Sequence, residues 1–402
     1  MNAQQTVQKA PILLLALTVA LTPFSIDAYL PALPTIAEEF NTSIHYIELS
    51  ISFFLVGYAI GQLCGGPISD SIGRRKSIFI GLTLFCVGTV AVILSNSPET
   101  LWISRFIQAI GGGLTGVNPP AIIRDVSSGR EAARNLSRVV IIMMIAPLIA
   151  PIIGTSILAV SNWHAIFVFL LVYALGIFIT VTLKLPETRR LPSQTTPIKK
   201  ENALQKYLYV AKNRYAMGYV FANCCSYAGL FAYVTTASFI FIEYFGFTKE
   251  VFPIFFAINV ATLAAFNRVN VHLLSYYNPH QLLTAGQVAL FSVSVVIFLY
   301  CYLTPSPSQW VFIPLLVAYC AALGLISSNA TVSTIEYFPN HAATATAFIG
   351  ANSFLWGAGS GFVYAYFADG SLTPIAAVFL GASALGICLR NILQIKGTPS
   401  IQ

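Results

Sequence analysis

Of 402 residues, 56% are hydrophobic and 9% charged, with a mean hydropathy of +0.76, whereas an average soluble domain carries about 25% charged residues. These proportions exclude a soluble globular protein. The formal charge of +7, from 21 Lys and Arg against 14 Asp and Glu, suggests nucleic acid only in a soluble chain, so the placement of the cations decides its meaning.

The chain starts with the polar stretch MNAQQTVQKA, followed by an apolar run to residue 33 without an A-x-A cleavage site. It reads as a retained first span. Windows of about 19 residues predict six spans near 11–36, 46–67, 77–95, 98–122, 136–160 and 163–183. A polar stretch rich in Pro, Ser, Thr and charge follows, then six more near 214–236, 251–270, 281–303, 309–334, 341–366 and 371–394. The predicted fold class is therefore an all-α polytopic membrane protein with 12 transmembrane helices in two pseudo-symmetric six-helix bundles. Such repeats place a binding site at the midplane between halves. The predicted divisions are an N-terminal bundle over 1–183, a cytoplasmic linker over 184–206 and a C-terminal bundle over 207–402.

With both termini cytoplasmic, 19 of the 21 cations fall on the inner side, Lys249 falls outside and Arg105 lies within a span. The net charge is then +13 inside and −6 outside, the bias that the positive-inside rule demands. The surplus cations orient the chain in a lipid bilayer and give no reason to expect a nucleic-acid partner.

Two ionisable residues remain well inside spans: Asp27 in the first and Arg105 in the fourth. Each costs about 2.5–3.5 kcal/mol or more at a helix centre, so each calls for a partner or a wet cavity. At 1.5 Å per residue both sit roughly 10–14 Å below the outer surface. That puts an ion pair or a water-bridged pair within reach, as a static tie or as a carboxylate that exchanges protons with Arg105 tuning it. The first span has a single acid, and no second titratable membrane carboxylate is expected.

Between the second and third spans the chain reads Gly66-Pro-Ile-Ser-Asp70-Ser-Ile-Gly73-Arg74-Arg75-Lys76. Gly66 suits close helix approach, Asp70 can cap or pair, Gly73 turns the chain, and the cations hold the loop inside. In the fourth span Arg105, Gln108 and Gly112 share one face at i, i+3 and i+7. In the fifth, Pro147 and Pro151 stand four apart with Gly154 beyond, which frees backbone carbonyls and bends a helix, either as a packing kink or as a rocking element.

The GxxxDxxGRRK loop closely resembles the signature of the major facilitator superfamily, and the Pro147–Gly154 segment resembles the antiporter signature of its drug exporters. Together with SIDAYLPALP around Asp27, Gly61-Gln62, Arg124-Asp125 and Asn162-Trp163-His164, residues 20–170 resemble the bicyclomycin-resistance branch of drug:proton antiporters. The resemblance implies two six-helix bundles, alternating access and proton-coupled efflux across a bacterial inner membrane, driven by the proton gradient without a cofactor. It implies coupling through Asp27 and Arg105 and gating through Gly66, Asp70, Gly73, Arg74 and Arg75. The loop between the eighth and ninth spans keeps only Arg268 from any basic repeat of the motif.

Polar and aromatic residues placed to line a cavity include Tyr29, Gln108, Asn118, Asn223, Tyr227, Phe231, Asn352 and Trp356. A mostly apolar site with few polar groups and one carboxylate suits a neutral or cationic amphipathic molecule. The alternative is a facilitator of the same fold that moves a specific metabolite or a siderophore. An enzyme is not expected: the five histidines are scattered, and no nucleophile elbow, phosphate loop or metal spacing is present. The seven cysteines lie in apolar stretches and read as packing residues. The chain is expected to act as a monomer.

Overall fold

The computed structural model describes residues 11–188 and 203–395, so most of the predicted linker and both terminal tails lie outside the described residues. The described chain is all helical. Its elements are α1 (Ile12–Asp27), α2 (Leu33–Glu39), α3 (Ile44–Ile72), α4 (Arg74–Ile93), α5 (Pro98–Gly116), α6 (Asn118–Val126), α7 (Gly129–Val160), α8 (Trp163–Lys184), α9 (Ala203–Lys212), α10 (Arg214–Ser238), α11 (Phe252–Leu273), α12 (Pro279–Leu303), α13 (Gln309–Leu323), α14 (Ser327–Ile335), α15 (Ala342–Phe367) and α16 (Thr373–Gln394). Each predicted span corresponds to one helix or to two helices in series, and α9 adds a helix that the linker reading did not include.

The helix starts are written locally. Ser97 and Thr100 form a reciprocal capping box before Pro98, Asn278 does the same with Gln281 before Pro279, and Asn162 and Asn213 accept backbone N–H groups at the starts of α8 and α10. These side chains satisfy orphan donors while proline takes a position that needs none. Lipid is the solvent implied by composition and burial together. The α7 segment has a window hydropathy of 2.3, yet only 22% of that window is buried; an apolar helix that the protein does not cover must be covered by hydrocarbon.

The chain forms two compact units, and their boundaries do not follow the linker alone. One comprises residues 1–29 and 57–200, the other 30–56 and 201–402. The first unit holds α1, the Gly57–Ile72 part of α3, and α4 to α8. Its core gathers Leu15 and Val19 of α1, Leu82 and Phe85 of α4, Ile122 of α6, Val139 of α7 and Ile177 of α8. Glycine seams let three of these helices meet at backbone distance. Gly57 and Gly61 of α3 lie against the carbonyls of Phe106 and Ile110, Gly65 against Leu114 and Val117, and Gly81 and Gly88 of α4 against Gly111 and Gln108. Gly66 does not take part: a Cβ there would meet nothing within 4 Å. The expected close approach thus belongs to the Gly57, Gly61 and Gly65 stripe one register earlier, because residues four apart share a helix face.

The second unit holds α2, the Ile44–Val56 part of α3, and α9 to α16. Its centre is α10, buried over 83% of its most apolar window, which ends in a π-helical turn, Phe239–Tyr244. Arg390 of α16 reaches Gln287 (2.5 Å) and Thr284 (2.7 Å) on α12 and lies over the Tyr219 ring of α10. Where the sequence shows no second basic motif, this buried guanidinium ties three helices instead. All seven cysteines are unbridged; Cys224, Cys225, Cys301 and Cys320 are buried and Cys86 partly so, but Cys64 and Cys388 are exposed, so packing does not account for those two.

The glycine seam makes a direct prediction. Gly61→Ala sets a methyl group against the Ile110 carbonyl and should cost about 1–3 kcal/mol, read as a lower thermal midpoint in detergent. Gly66→Ala should leave the midpoint unchanged. Equal midpoints for the two variants would contradict this packing.

Candidate functional site

The site begins with a broken helix. Pro31 has no N–H to give to the Asp27 carbonyl four residues back, and α1 stops at Asp27, passing through a 3-10 turn, Leu30–Ala32, into α2. The last carbonyls of a helix then need other donors. Arg105, on α5, supplies one: its Nη2 donates to the Ser25 carbonyl at 2.8 Å. Nη1 donates to Gln108 Oε1 at 2.6 Å, and Gln108 Nε2 donates in turn to Thr89 Oγ1 on α4 at 2.8 Å. The guanidinium lies 4.4 Å from the Tyr29 ring centre and 5.6 Å from that of Phe167 on α8. Fully buried, it is held by charge-assisted hydrogen bonds and by aromatic faces, which favour a weakly hydrated, planar cation.

Asp27 is 5% exposed, and its carboxyl has no hydrogen-bond or ion-pair partner among the described residues. Of the two arrangements expected with Arg105, the direct ion pair is not formed. Arg105 grips Ser25 and Tyr29, two positions on either side of Asp27, and helix positions two apart do not share a face. The next residue, Ala28, presents its carbonyl to Gly154 of α7, where any Cβ would strike it. Pro147 and Pro151 lie inside α7, which runs unbroken from Gly129 to Val160. The proline-glycine segment thus packs at the same break that carries Asp27.

The loop motif forms a network of its own in this unit. Gly73 has φ +103°, a conformation that favours glycine, and it starts α4 at once after α3. Arg74 Nη1 pairs with Asp70 Oδ1 (2.5 Å) and donates to Ser69 Oγ (2.9 Å), while Nε pairs with Asp125 Oδ2 (3.1 Å). The backbone N–H groups of Arg74 and Arg75 donate to the two Glu187 oxygens at 2.9 and 3.1 Å, a carboxylate at a helix N-terminus where the dipole favours it. Arg75 Nη2 donates to the Thr182 carbonyl at 2.7 Å. Asn118, expected to line a cavity, belongs to this network. Its Oδ1 accepts from Ser69 Oγ at 2.6 Å, and its Nδ2 donates to the Leu114 carbonyl at 2.8 Å and to Ser77 Oγ at 3.2 Å, so its hydrogen-bonding capacity is used within the protein.

The remaining lining candidates fall on α10 and α15 of the second unit. Tyr227, Phe231 and Phe354 form an aromatic cluster with ring centres 5.4 to 6.2 Å apart. Asn223 Nδ2 donates to Ser353 Oγ at 2.8 Å and leaves its Oδ1 buried without a partner among the described residues. Asn352 donates to its own helix, at the Phe348 carbonyl. Trp356 meets Phe221 and the small cluster of Val220, Cys224 and Ile349.

Sequence reasoning missed a second buried acid. Glu48 is fully buried in α3 and pairs with His45 at 3.1 Å. The expectation of no further membrane carboxylate is corrected by this residue. It stands at the outer start of its span and counts with the outer-side acids in the charge balance, although the i, i+3 spacing of His45 and Glu48 is readable in the sequence.

Comparison with known proteins agrees with this architecture. The family model for the Major Facilitator Superfamily matches residues 15–388. The chain is 30% identical over 350 residues, 86% of each chain, to a bicyclomycin resistance protein homolog of Haemophilus influenzae. It is 26% identical over 332 residues, 83% of this chain and 82% of the other, to the multidrug resistance protein MdtL of Shigella flexneri. Among solved structures it resembles the xylose transporter XylE of E. coli in a partially occluded inward-open conformation, with a TM-score of 0.72 at 16% identity over 97% of this chain and 98% of that one. The nucleoside transporter NupG gives a TM-score of 0.72 at 15% identity over 96% and 99%. With its helices, its loop motif and a family match over nearly the whole length, the chain belongs to the Major Facilitator Superfamily, as a multi-pass membrane transporter.

Proposed function

We propose that this protein is a proton-coupled antiporter that exports small amphipathic compounds, drugs or related metabolites, by alternating access across a bacterial inner membrane. Both termini and the Gly66–Lys76 loop then face the cytoplasm, as the cation distribution favours. The names of the relatives supply the substrate class, bicyclomycin and multiple drugs. The observation that carries the coupling is Asp27: a carboxyl buried at the break of α1, with no cation bonded to it.

A carboxyl in that position can hold a proton or give it up, and each change alters the charge of a helix end that α7 packs against through Gly154. Arg105 acts as a positioning residue. Its contacts to Ser25, Tyr29 and Gln108 fix the break whether or not Asp27 carries a proton. The Asp70, Arg74, Asp125 and Glu187 network is the gating element at the cytoplasmic end. Tyr227, Phe231 and Asn223 offer aromatic faces and one open amide acceptor to an amphipathic guest, as such sites require. The energy source is the proton gradient, and no cofactor enters the cycle.

Proteoliposomes with an imposed pH gradient test this reading, with bicyclomycin and a panel of lipophilic fluorescent cations as probes. Wild type should accumulate at least one probe against its gradient. Asp27→Asn should abolish that accumulation while it leaves downhill exchange of the same probe; uphill transport by Asp27→Asn at the wild-type rate would end the proposal. Arg105→Lys keeps the charge but loses the planar fork and its stacking. It should destabilise the protein by about 1–3 kcal/mol, the cost of a buried acceptor left unpaired, and lower transport of every probe alike. A wild-type thermal midpoint for Arg105→Lys would remove its positioning role.

A further inference from the structure

The second unit carries an ionisable cluster of its own, in the first turns of α3. Glu48 Oε2 lies 3.1 Å from His45 Nδ1, and Glu48 Oε1 is buried with no hydrogen-bond partner among the described residues. His45 Nδ1 also lies 3.4 Å from the Tyr364 hydroxyl of α15. The imidazole is held edge-on between two rings, 4.9 Å from Phe239 in the π-helical turn and 5.5 Å from Tyr364. His45, Glu48 and Ser52 follow one face of α3 at i, i+3 and i+7. Ser52 Oγ is buried without a partner among the described residues and sits against Gly361 of α15, where a Cβ would strike it. Thr235 Oγ1 of α10, likewise buried without a partner, lies 3.7 Å from the same Cβ position. Glu48 Oε1, Ser52 Oγ and Thr235 Oγ1 are thus three buried polar oxygens without a partner among the described residues. Buried polar atoms are normally paired, and a carboxylate in a span is a functional candidate by default.

The surroundings set the charge balance. Glu243 of the π-helical turn acts on both His45 and Glu48, Asp369 beyond α15 acts on His45, Tyr364 faces Glu48, Glu243 and Asp369, and Glu38 of α2 acts on Glu243. Among the described residues, Glu48 has His45 as its ion-pair partner and no other. If the pair held no proton, a net negative charge would be buried at Glu48 with the exposed Glu243 and Asp369 nearby, and desolvation makes that costly. With one proton the pair is neutral, whichever of the two residues holds it.

We propose that His45 and Glu48 form a second proton-binding site, separate from Asp27, whose proton keeps the Ile44–Val56 part of α3 seated on the Phe239–Tyr244 turn and on α15. When this part of α3 lifts away, the pair releases its proton to water, leaving neutral imidazole and carboxylate. Reseating takes one proton back. The use of this site as an entry point for outside protons rests on the antiport reading, but its existence does not.

Hydrogen–deuterium exchange of the full-length protein in detergent tests the proposal without any substrate. After correction for the intrinsic rate, exchange of peptides covering residues 44–56 and 355–367 should rise with pH, by up to about tenfold per pH unit where one proton is released. Glu48→Gln leaves an imidazole that is neutral without a proton, so seating no longer needs one and exchange should not rise with pH. His45→Gln leaves a carboxyl as the group that gives up the proton on lifting into water, and a free carboxyl does so at lower pH than a free imidazole, so the rise should begin at lower pH. Asp27→Asn should keep the wild-type exchange profile, which separates this site from the failure of coupling at Asp27. A wild-type pH profile in Glu48→Gln or in His45→Gln overturns the proposal; if Glu48→Gln shows no cooperative thermal transition, His45→Gln decides alone.

Discussion

The guanidinium of Arg105, placed where α1 ends, organises the first unit. Pro31 cuts the helix short inside a span, and carbonyl groups freed there have no water to turn to in hydrocarbon. Arg105 meets one of them directly, braces itself on Gln108 and Thr89, and lies against Tyr29 and Phe167, so that α1, α4, α5 and α8 are joined by one side chain. Because the cation is engaged with a carbonyl and with ring faces, the neighbouring carboxyl of Asp27 has no bonded counter-charge. The cost of burying an arginine is met by local contacts, and the acid beside it remains available for chemistry.

The same economy recurs elsewhere in the molecule. Small residues let helices meet at backbone distance, which allows polar side chains to find partners across the seam: Gly88 lies against Gln108, the residue that bridges Arg105 to Thr89. Gly154 admits Ala28 beside Asp27, and Gly361 admits Ser52 beside Glu48. The helix α3 shows both sides of this in one element. Its Gly57, Gly61 and Gly65 stripe is a packing seam of the first unit, while His45, Glu48 and Ser52 form a polar face in the second.

Much of this was legible because membrane helices announce themselves by length and hydropathy. The twelve spans, the GxxxDxxGRRK loop, the paired prolines of α7 and the charges at 27 and 105 all stood in the linear order. The details that failed were those in which neighbours in sequence do not determine neighbours in space. Gly66 had the motif position for close approach, yet the contact falls one residue earlier. Asn118 looked like a cavity amide but is consumed by Ser69, Ser77 and Leu114. Glu48 counts with the outer-side acids because its span begins only four residues before it, yet the fold buries it completely.

By itself the sequence determined the class of solvent, the number of spans and the residues too costly to be in lipid without a reason, since these follow from transfer free energy and from local backbone chemistry at proline and glycine. Only the tertiary structure decided which groups those residues meet. A helix exposes its side chains in all directions, and whether Arg105 bonds Asp27 or the Ser25 carbonyl depends on the rotation and depth of α5, which Gly88 and Gly111 set against α4 and Gly113 sets against α3 through backbone contact. That rotation has no signature in linear order, because it is the joint outcome of packing along several helices at once.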